Sequence, residues 1–403
     1  MSPRSRRWLA NGVRLLVTGV AVAYVYQRVD WYDRAHLAES PGRAWRVLSP
    51  PGEWPLRLDD PQTGEHRTAR ADELASPEAM VAFHKRPIEQ GLRDVVRRLE
   101  ARYAVFGVLA LAPVTFLLAI RLRDLLEMQE VPLPLREAIW LTFAGNFFNF
   151  ALPGTTGGDL FKAFHIARIG HKRTEGVTVV FLDRAFGMVA FVLLAGPCVL
   201  LSWRVAAIGR LGKLVGVLLA ALVIGSLVFF SRRFRRWIRY DHLLARLPMA
   251  DRLRRVDQTV FACRLHPWRT ARAMILTFMS HLLLAAGVMY VSRAVGMPQA
   301  TLARFDWTYF DFYVSCTLAL SVGYLVAAVP LSIQGFGLLE AVFLRVLAGP
   351  WGTSSQVLAV CLGFRMLQLL WSLPGMIAPW RGLSRPPAAR GSVGAVSMKS
   401  ESP

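Results

Sequence analysis

Residues 142–187 read TFAGNFFNFALPGTTGGDLFKAFHIARIGHKRTEGVTVVFLDRAFG, and the fold turns on how they are read. An apolar segment closes at Ala151-Leu152-Pro153, and the break Gly154-Thr155-Thr156-Gly157-Gly158 follows. Proline and clustered glycine interrupt a helix, so the chain turns here. Asp159 then stands where a new helix would begin, the position at which a carboxylate caps free backbone N–H groups. A second apolar segment starts near Gly176 and carries Asp183-Arg184 about two turns in.

A second stretch repeats this design. Pro330 ends an apolar segment, Gly335-Phe336-Gly337 breaks it, Glu340 lies just inside the next helix, and Arg365 sits midway along the following apolar run. Asp159 and Arg184 are 25 positions apart, and so are Glu340 and Arg365. The spacing reads as an internal repeat: apolar helix, Pro/Gly break, acid, then an arginine inside the membrane. Broken helices at matching places in two halves are the sequence sign of a transporter-like site. The plainer reading is two helix-breaking turns with coincident charges, since the match lies in positions and not in letters.

Composition sets the surroundings. The chain has 403 residues, 54% of them hydrophobic, with a mean hydropathy of +0.36. Several apolar runs reach the ~20 residues that span a bilayer. This excludes a soluble enzyme and predicts a polytopic membrane protein. The formal charge of +21 calls for no nucleic acid, because cytoplasmic loops collect Lys and Arg and anionic lipid attracts them. The cysteines, Cys198, Cys263, Cys316 and Cys361, form no C-x-x-C, and no two histidines stand as H-x-x-x-H. No disulfide framework, metal site or cofactor is indicated. His165 and His171 read as polar residues of a cytoplasmic turn.

Taken in order, residues 1–26 predict an N-terminal membrane anchor with Arg14 reaching back to the cytoplasmic face. Ala21-Val22-Ala23 also resembles a signal-peptidase site, but the apolar run continues past it. Residues 27–100 hold both charge signs and no spanning run. Trp45–Leu48, Trp54–Leu58 and His66–Ala69 alternate weakly between Pro-Gly and Thr-Gly turns, which predicts a small β-meander. Residues 87–103 read as an amphipathic helix feeding the next span. That span covers about 101–122 and ends in Arg121-Leu122-Arg123 at the cytoplasmic face. Residues 137–170 then enter and leave on the same side, because Lys162, Arg168, Lys172 and Arg173 follow the break. Spans are expected at 176–202, 211–230, 273–296 and 355–379. Residues 231–272 form a basic cytoplasmic loop with twelve arginines against Asp241, Asp251 and Asp257, and its amphipathic parts are candidates for anionic-lipid docking. Residues 310–349 form a second re-entrant pair, entered from outside, unless 310–330 crosses fully.

The expected architecture is therefore an all-α polytopic membrane protein. It has about six full spans, two opposed re-entrant helical hairpins and a small mixed or β extracytoplasmic insert. Its parts are the anchor at 1–26, the insert at 27–100, membrane halves at 101–230 and 273–380 flanking the loop 231–272, and a disordered tail at 381–403. Both termini are expected in the cytoplasm, with the chain in the cytoplasmic (inner) membrane.

Charges in such segments are costly and usually face the bundle interior in pairs. Asp159, Glu340, Arg184 and Arg365 would line a polar cavity between the halves, the arginines suited to a phosphate. N–H groups after Gly157-Gly158 and around Gly335-Phe336-Gly337 would add a positive helix end. The same four charges can instead be two internal ion pairs that lock the hairpins. Lys162 and Ser332 flank the breaks and join the candidates. Asn146 and Asn149 share one helix face and can bond the glycine turn or a headgroup. Asp183 points to a different face from Arg184 and would find a partner elsewhere. Gly187 reads as a close helix-packing point. Asp59-Asp60 reads as a solvent-facing turn. G-x-S-x-G, a Walker loop and zinc spacing are missing, which leaves no catalytic residue. Asp30 and Asp33, just outside the first span, keep a polyprenyl-phosphate glycosyltransferase as the alternative, since such enzymes place acids in that loop.

The letters Asn146-x-x-Asn149-x-x-x-Pro153, Gly157-Gly158-Asp159, Asp183-Arg184-x-x-Gly187 and Pro330-x-Ser332-x-x-Gly335-x-Gly337-x-x-Glu340 occur in this order. Over about 101–380 the set resembles the lysylphosphatidylglycerol synthase transmembrane-region family, the flippase-like part of the multiple peptide resistance factor. The resemblance implies a multi-span inner-membrane protein that handles lipids, in several members by moving one between leaflets. The family often has Arg where this chain has Lys162 and where it has Leu339, so headgroup preference would differ here. Only about two dozen residues follow 379, so lysyl transfer by a soluble domain is not expected. The expected partners are anionic or phosphate-bearing membrane lipids and a lipid-modifying enzyme. A non-transporting scaffold is the third reading.

Overall fold

The computed structural model describes residues 19–20, 23, 31–49, 53–60, 63–75, 88–89, 91–151, 157–169, 173–202, 212–213, 215–221, 263–302, 307–328 and 335–377. Most of the expected anchor, of the 211–230 span and of the 231–272 loop, together with Asp30, Ser332 and the tail, lies outside them.

The first elements form a sheet. Strands β1 (Arg34–Leu37), β2 (Ser40–Val47), β3 (Leu56–Asp59), β4 (His66–Ala69) and β5 (Ile88–Glu89) pair antiparallel in the order β4-β3-β2-β1-β5. Alternate residues face one side of a strand. Leu56 and Leu58 therefore go inward with Ala35, Leu37, Trp45 and Val47 to make a small core. Asp60 is buried rather than solvent-facing. Arg43 of β2 and Thr63 donate to the Asp60 carboxylate.

The helices are α1 (Leu92–Arg97), α2 (Ala101–Glu127), α3 (Leu135–Ala151), α4 (Gly157–Ile169), α5 (Arg173–Leu201), α6 (Pro267–Ala294), α7 (Tyr309–Ala328), α8 (Leu338–Leu347) and α9 (Ser354–Ser372), with a single turn at Gln299–Leu302. The expected helix over 87–103 is broken. Residues 88–89 join the sheet, and Glu100 donates its N–H to the Ala294 carbonyl at 2.8 Å, which turns the chain between α1 and α2.

Five segments among the described residues are long and apolar enough to cross a membrane: Ala101–Glu127, Val177–Leu201, Pro267–Ala294, Tyr309–Ala328 and Ser354–Met376. Tyr309–Ala328, read from sequence as half of a hairpin, is thus of spanning length. The protein is a mostly helical, multi-pass membrane protein.

Helices α2 and α6 lie antiparallel along most of their length. Gly287 admits the Leu111 side chain, whose Cδ1 a Cβ there would strike. Helix α2 runs past the expected end at 122, so Arg121 is not a face charge: it is 5% exposed and sits inside the bundle. His165 likewise is buried on α4 and not in a turn.

Two helical hairpins complete the bundle. In the first, Phe148 of α3 stacks on Phe161 of α4 at 4.4 Å, and Asn149 meets Gly158, so the arms run antiparallel. In the second, Gly323 of α7 approaches Leu339 and Phe343 of α8, while Ala327 approaches Gly335. One apolar core gathers Phe312, Phe343, Trp351 and Phe364. Another gathers Leu122, Leu125, Leu126, Leu141 and Val179.

Candidate functional site

A cavity of about 370 Å³ opens among the helices, lined by residues of α2 through α9. Three groups of charge border it, and each is set by a local feature of the chain.

The first is Asp159 with Arg184. Helix α4 begins at Gly157, so Asp159 lies in its first turn rather than at the capping position before it. Gly158 lets α4 touch α3, since a Cβ there would collide with the Gly145 carbonyl. Asn149 Oδ1 accepts the Gly158 N–H at 2.9 Å and holds this approach. Asn146 Nδ2 reaches Thr115 Oγ1 at 3.5 Å. Arg184 Nη1 donates to Asp159 Oδ2 at 2.6 Å, and both side chains open onto the cavity.

The second is Glu340 with Arg365. Gly335 and Gly337 have φ of +68° and +82°, the left-handed region that favours glycine. They turn the chain into α8, where Glu340 Oε2 accepts the Gly337 N–H at 2.7 Å. Arg365 Nε donates to Glu340 Oε1 at 2.9 Å, and its guanidinium lies 4.0 Å from the Phe336 ring centre. Arg365 lines the cavity; Glu340 stands behind it, drawn inward by its bond to the Gly337 backbone.

The third was not grouped from sequence. Arg121 Nε donates to Asp183 Oδ1 at 2.7 Å, and its Nη1 donates to Thr277 Oγ1 at 3.1 Å. Lys162 Nζ lies 4.0 Å from Asp183 Oδ2. Asp183 therefore shares the cavity with its neighbour Arg184 instead of turning to another part of the bundle. Gly187 is no packing point, because a Cβ there would meet nothing within 4 Å. It faces the open space.

An aromatic column borders the same space. His281 lies flat on Phe191 at 3.7 Å, and Phe191 stands 5.3 Å from Tyr324. Gln368 Nε2 donates to the Tyr324 hydroxyl at 2.6 Å. Among the described residues, four basic side chains (Arg121, Lys162, Arg184, Arg365) meet three carboxylates (Asp159, Asp183, Glu340). One positive charge is in excess.

Of the residues singled out from sequence, Asn146, Asn149, Asp159, Lys162, Arg184 and Arg365 line the cavity. Gly157, Gly158, Gly335 and Gly337 shape the helix starts behind it. Among the described residues, no group of three or more His, Cys, Asp or Glu side chains is placed to hold a metal. Asp33, a candidate base in the enzymatic alternative, is buried and accepts the Gly91 N–H at 2.7 Å. Burial raises its pKa above the usual carboxylate value, and the Gly91 bond partly offsets this.

The family model described as the lysylphosphatidylglycerol synthase TM region matches residues 89–375. That stretch holds every helix named above and leaves out β1 to β4. No curated protein matches the chain.

Proposed function

We propose that this integral membrane protein, which belongs to the lysylphosphatidylglycerol synthase transmembrane-region family, takes the phosphate-bearing headgroup of a membrane lipid into its cavity and carries it between leaflets. The carrying observation is the excess cation in a cavity lined by both hairpins and the helices that follow them. Basic side chains gathered among apolar helices are costly and favour an anionic partner. An anionic headgroup supplies the missing charge, and guanidinium groups suit a phosphate.

The same reading makes both hairpins re-entrant, with α7, whose 20 residues reach spanning length, the one arm that could instead cross fully. Helix α8, with 10 residues, is about 15 Å long at 1.5 Å per residue. The hydrocarbon core is about 30 Å thick. Helices α3 and α4 are also short of that thickness, and broken backbone at such depth is tolerated where it lines a cavity. Opposed hairpins related by an inverted repeat would let the site open to either face in turn. Cytoplasmic termini, an inner-membrane location and a lipid-modifying enzyme as partner complete the proposal.

Reconstituted vesicles carrying a headgroup-labelled anionic lipid test it, with an impermeant quencher reading which leaflet the label occupies. The native chain should equilibrate the label, and Arg184→Gln and Lys162→Met should slow it while folding normally. Unchanged lipid movement in both folded variants would remove the cavity from the function. Lipid movement unaffected by any cavity variant, with loss of a sugar-transfer activity in Asp33→Asn, would turn the reading to the glycosyltransferase.

A further inference from the structure

The sheet has two unlike ends. At the end where the chain leaves for the helices, Arg34 pairs with Glu89 and the Asp33 carboxylate holds the Gly91 N–H. Helix α1 follows at once, with Val95 in the bundle core, and Glu100 is tied to the end of α6. This end of the sheet is therefore fixed beside the start of the spanning-length helix α2.

Trp31, Tyr32, Leu48 and Trp54 are all exposed at this end, although the sheet buries or half-buries its other large apolar side chains among the described residues. Leu48 is held there by its N–H on the Arg57 carbonyl, and Tyr32 by its place next to Gly91. Val96 of α1 and Leu99 just after it continue the exposed apolar surface, and Val105, Phe106 and Leu109 carry it down α2. Arg34, Arg57, Arg93, Arg97 and Arg98 are exposed around it, with Glu53 an exposed acid and Asp94 4.0 Å from Arg97.

The far end is the reverse. Its turns present Glu39 and Glu65, and Arg43 and Arg67 are bound to carboxylates. None of the described turn residues there is an exposed large apolar side chain.

Scattered exposed apolar residues are ordinary, but a cluster at one end is not. Trp and Tyr collect at membrane–water boundaries, and arginines there take lipid phosphates. Continuity with the outward-facing surface of α2 identifies the occupant. We propose that this end of the sheet is seated in the headgroup layer of the bilayer that α2 crosses. Trp31, Tyr32, Trp54 and Leu48 dip among the lipids, and the arginines meet anionic headgroups. The sheet then stands as a fixed post on the membrane and not as a domain on a tether. This inference is independent of the cavity.

The test uses the full chain with Leu48→Cys or Glu65→Cys, because the native cysteines are all buried. Each is labelled with a small fluorophore and reconstituted in vesicles of phosphatidylcholine and phosphatidylglycerol. A label at 48 should be quenched several-fold more by a nitroxide on the lipid headgroup than a label at 65, and should be shielded from aqueous iodide. Position 65 should show the opposite. Trp54→Cys, at the same end, replaces Leu48→Cys if that variant fails to fold. Equal lipid quenching at both ends overturns the proposal. A label at 48 that is open to iodide and untouched by the lipid quencher also overturns it, and leaves a protein partner as the occupant.

Discussion

Asp159–Arg184 and Glu340–Arg365 have the same separation in the chain and different surroundings. The side chains of the first pair are 21% and 26% exposed, those of the second 6% and 12%. Glu340 also holds the start of its own helix through the Gly337 N–H, and Arg365 rests on Phe336. Asp159 makes its bond at the open side of the cavity. Three positions beyond each arginine the contrast recurs: Gly187 leaves space, while Gln368 fills it and binds Tyr324. One hairpin is a fixed wall with its ion pair as the latch. In the proposed function the other is the receiving side, where a headgroup takes the place of the Asp159 carboxylate on Arg184.

The largest effect that tests this contrast belongs to the buried pair. Glu340→Gln removes the carboxylate that Arg365 Nε meets at 2.9 Å, and breaking a buried pair in this way costs roughly 3–5 kcal/mol. Glu340→Gln with Arg365→Leu should recover part of that loss. Thermal melting in detergent or nanodiscs reads both. A melting point that does not move for Glu340→Gln would put the two pairs on the same footing.

Next in size is the excess cation. Lys162→Met leaves Asp183 paired with Arg121, so the melting point should hold. Binding of an anionic lipid should weaken by about 1.5–3 kcal/mol, the worth of a hydrogen bond to a charged group. A lipid-binding titration checks it. Undiminished affinity would mean that the headgroup charge is met elsewhere.

Asp159→Asn should do less to the fold than Glu340→Gln, by the same logic. A partly exposed pair contributes about 1 kcal/mol or less. Freed of its carboxylate, Arg184 should hold an anionic headgroup more tightly, so binding strengthens while lipid release slows. A destabilisation as large as that of Glu340→Gln would erase the distinction between wall and receiving side.

Much of this could be read in the sequence. Hydropathy marks four of the five spanning-length helices as spans because a membrane tolerates few charges along such runs, while Tyr309–Ala328 reads as half of a hairpin because Pro330 and Gly335 follow it. The equal spacing pointed to the two acid–arginine pairs because each acid stands at a helix start and each arginine on the next helix. Arg121 was hidden by its neighbours: beside Arg123 at the end of an apolar run it looks interfacial, and only the continuation of α2 to Glu127 carries it inward. Asp183 was misplaced because adjacent helix residues point about 100° apart. The cavity is wide enough for both, with α2 and α4 offering Asp183 its partners. Glu340 was expected on the cavity wall, and its bond to its own helix start keeps it behind.

The smallest effect belongs to the space itself. Nothing lies within 4 Å of a Cβ placed at Gly187, so Gly187→Ala introduces no clash. Alanine in a helix interior is favoured over glycine by about 0.5 kcal/mol or slightly more, so the melting point should hold or rise a little. The added methyl occupies space where the headgroup is proposed to sit, next to Arg184. Lipid movement should therefore fall slightly while stability does not, and Gly187→Gln, which copies the side chain of the second half, should deepen that fall. A structural packing role predicts the reverse order, with stability lost and transport following it. Melting and transport measured on the same two variants separate these cases. If Gly187→Gln moved lipid at the native rate, the open side of the cavity would not be the receiving side.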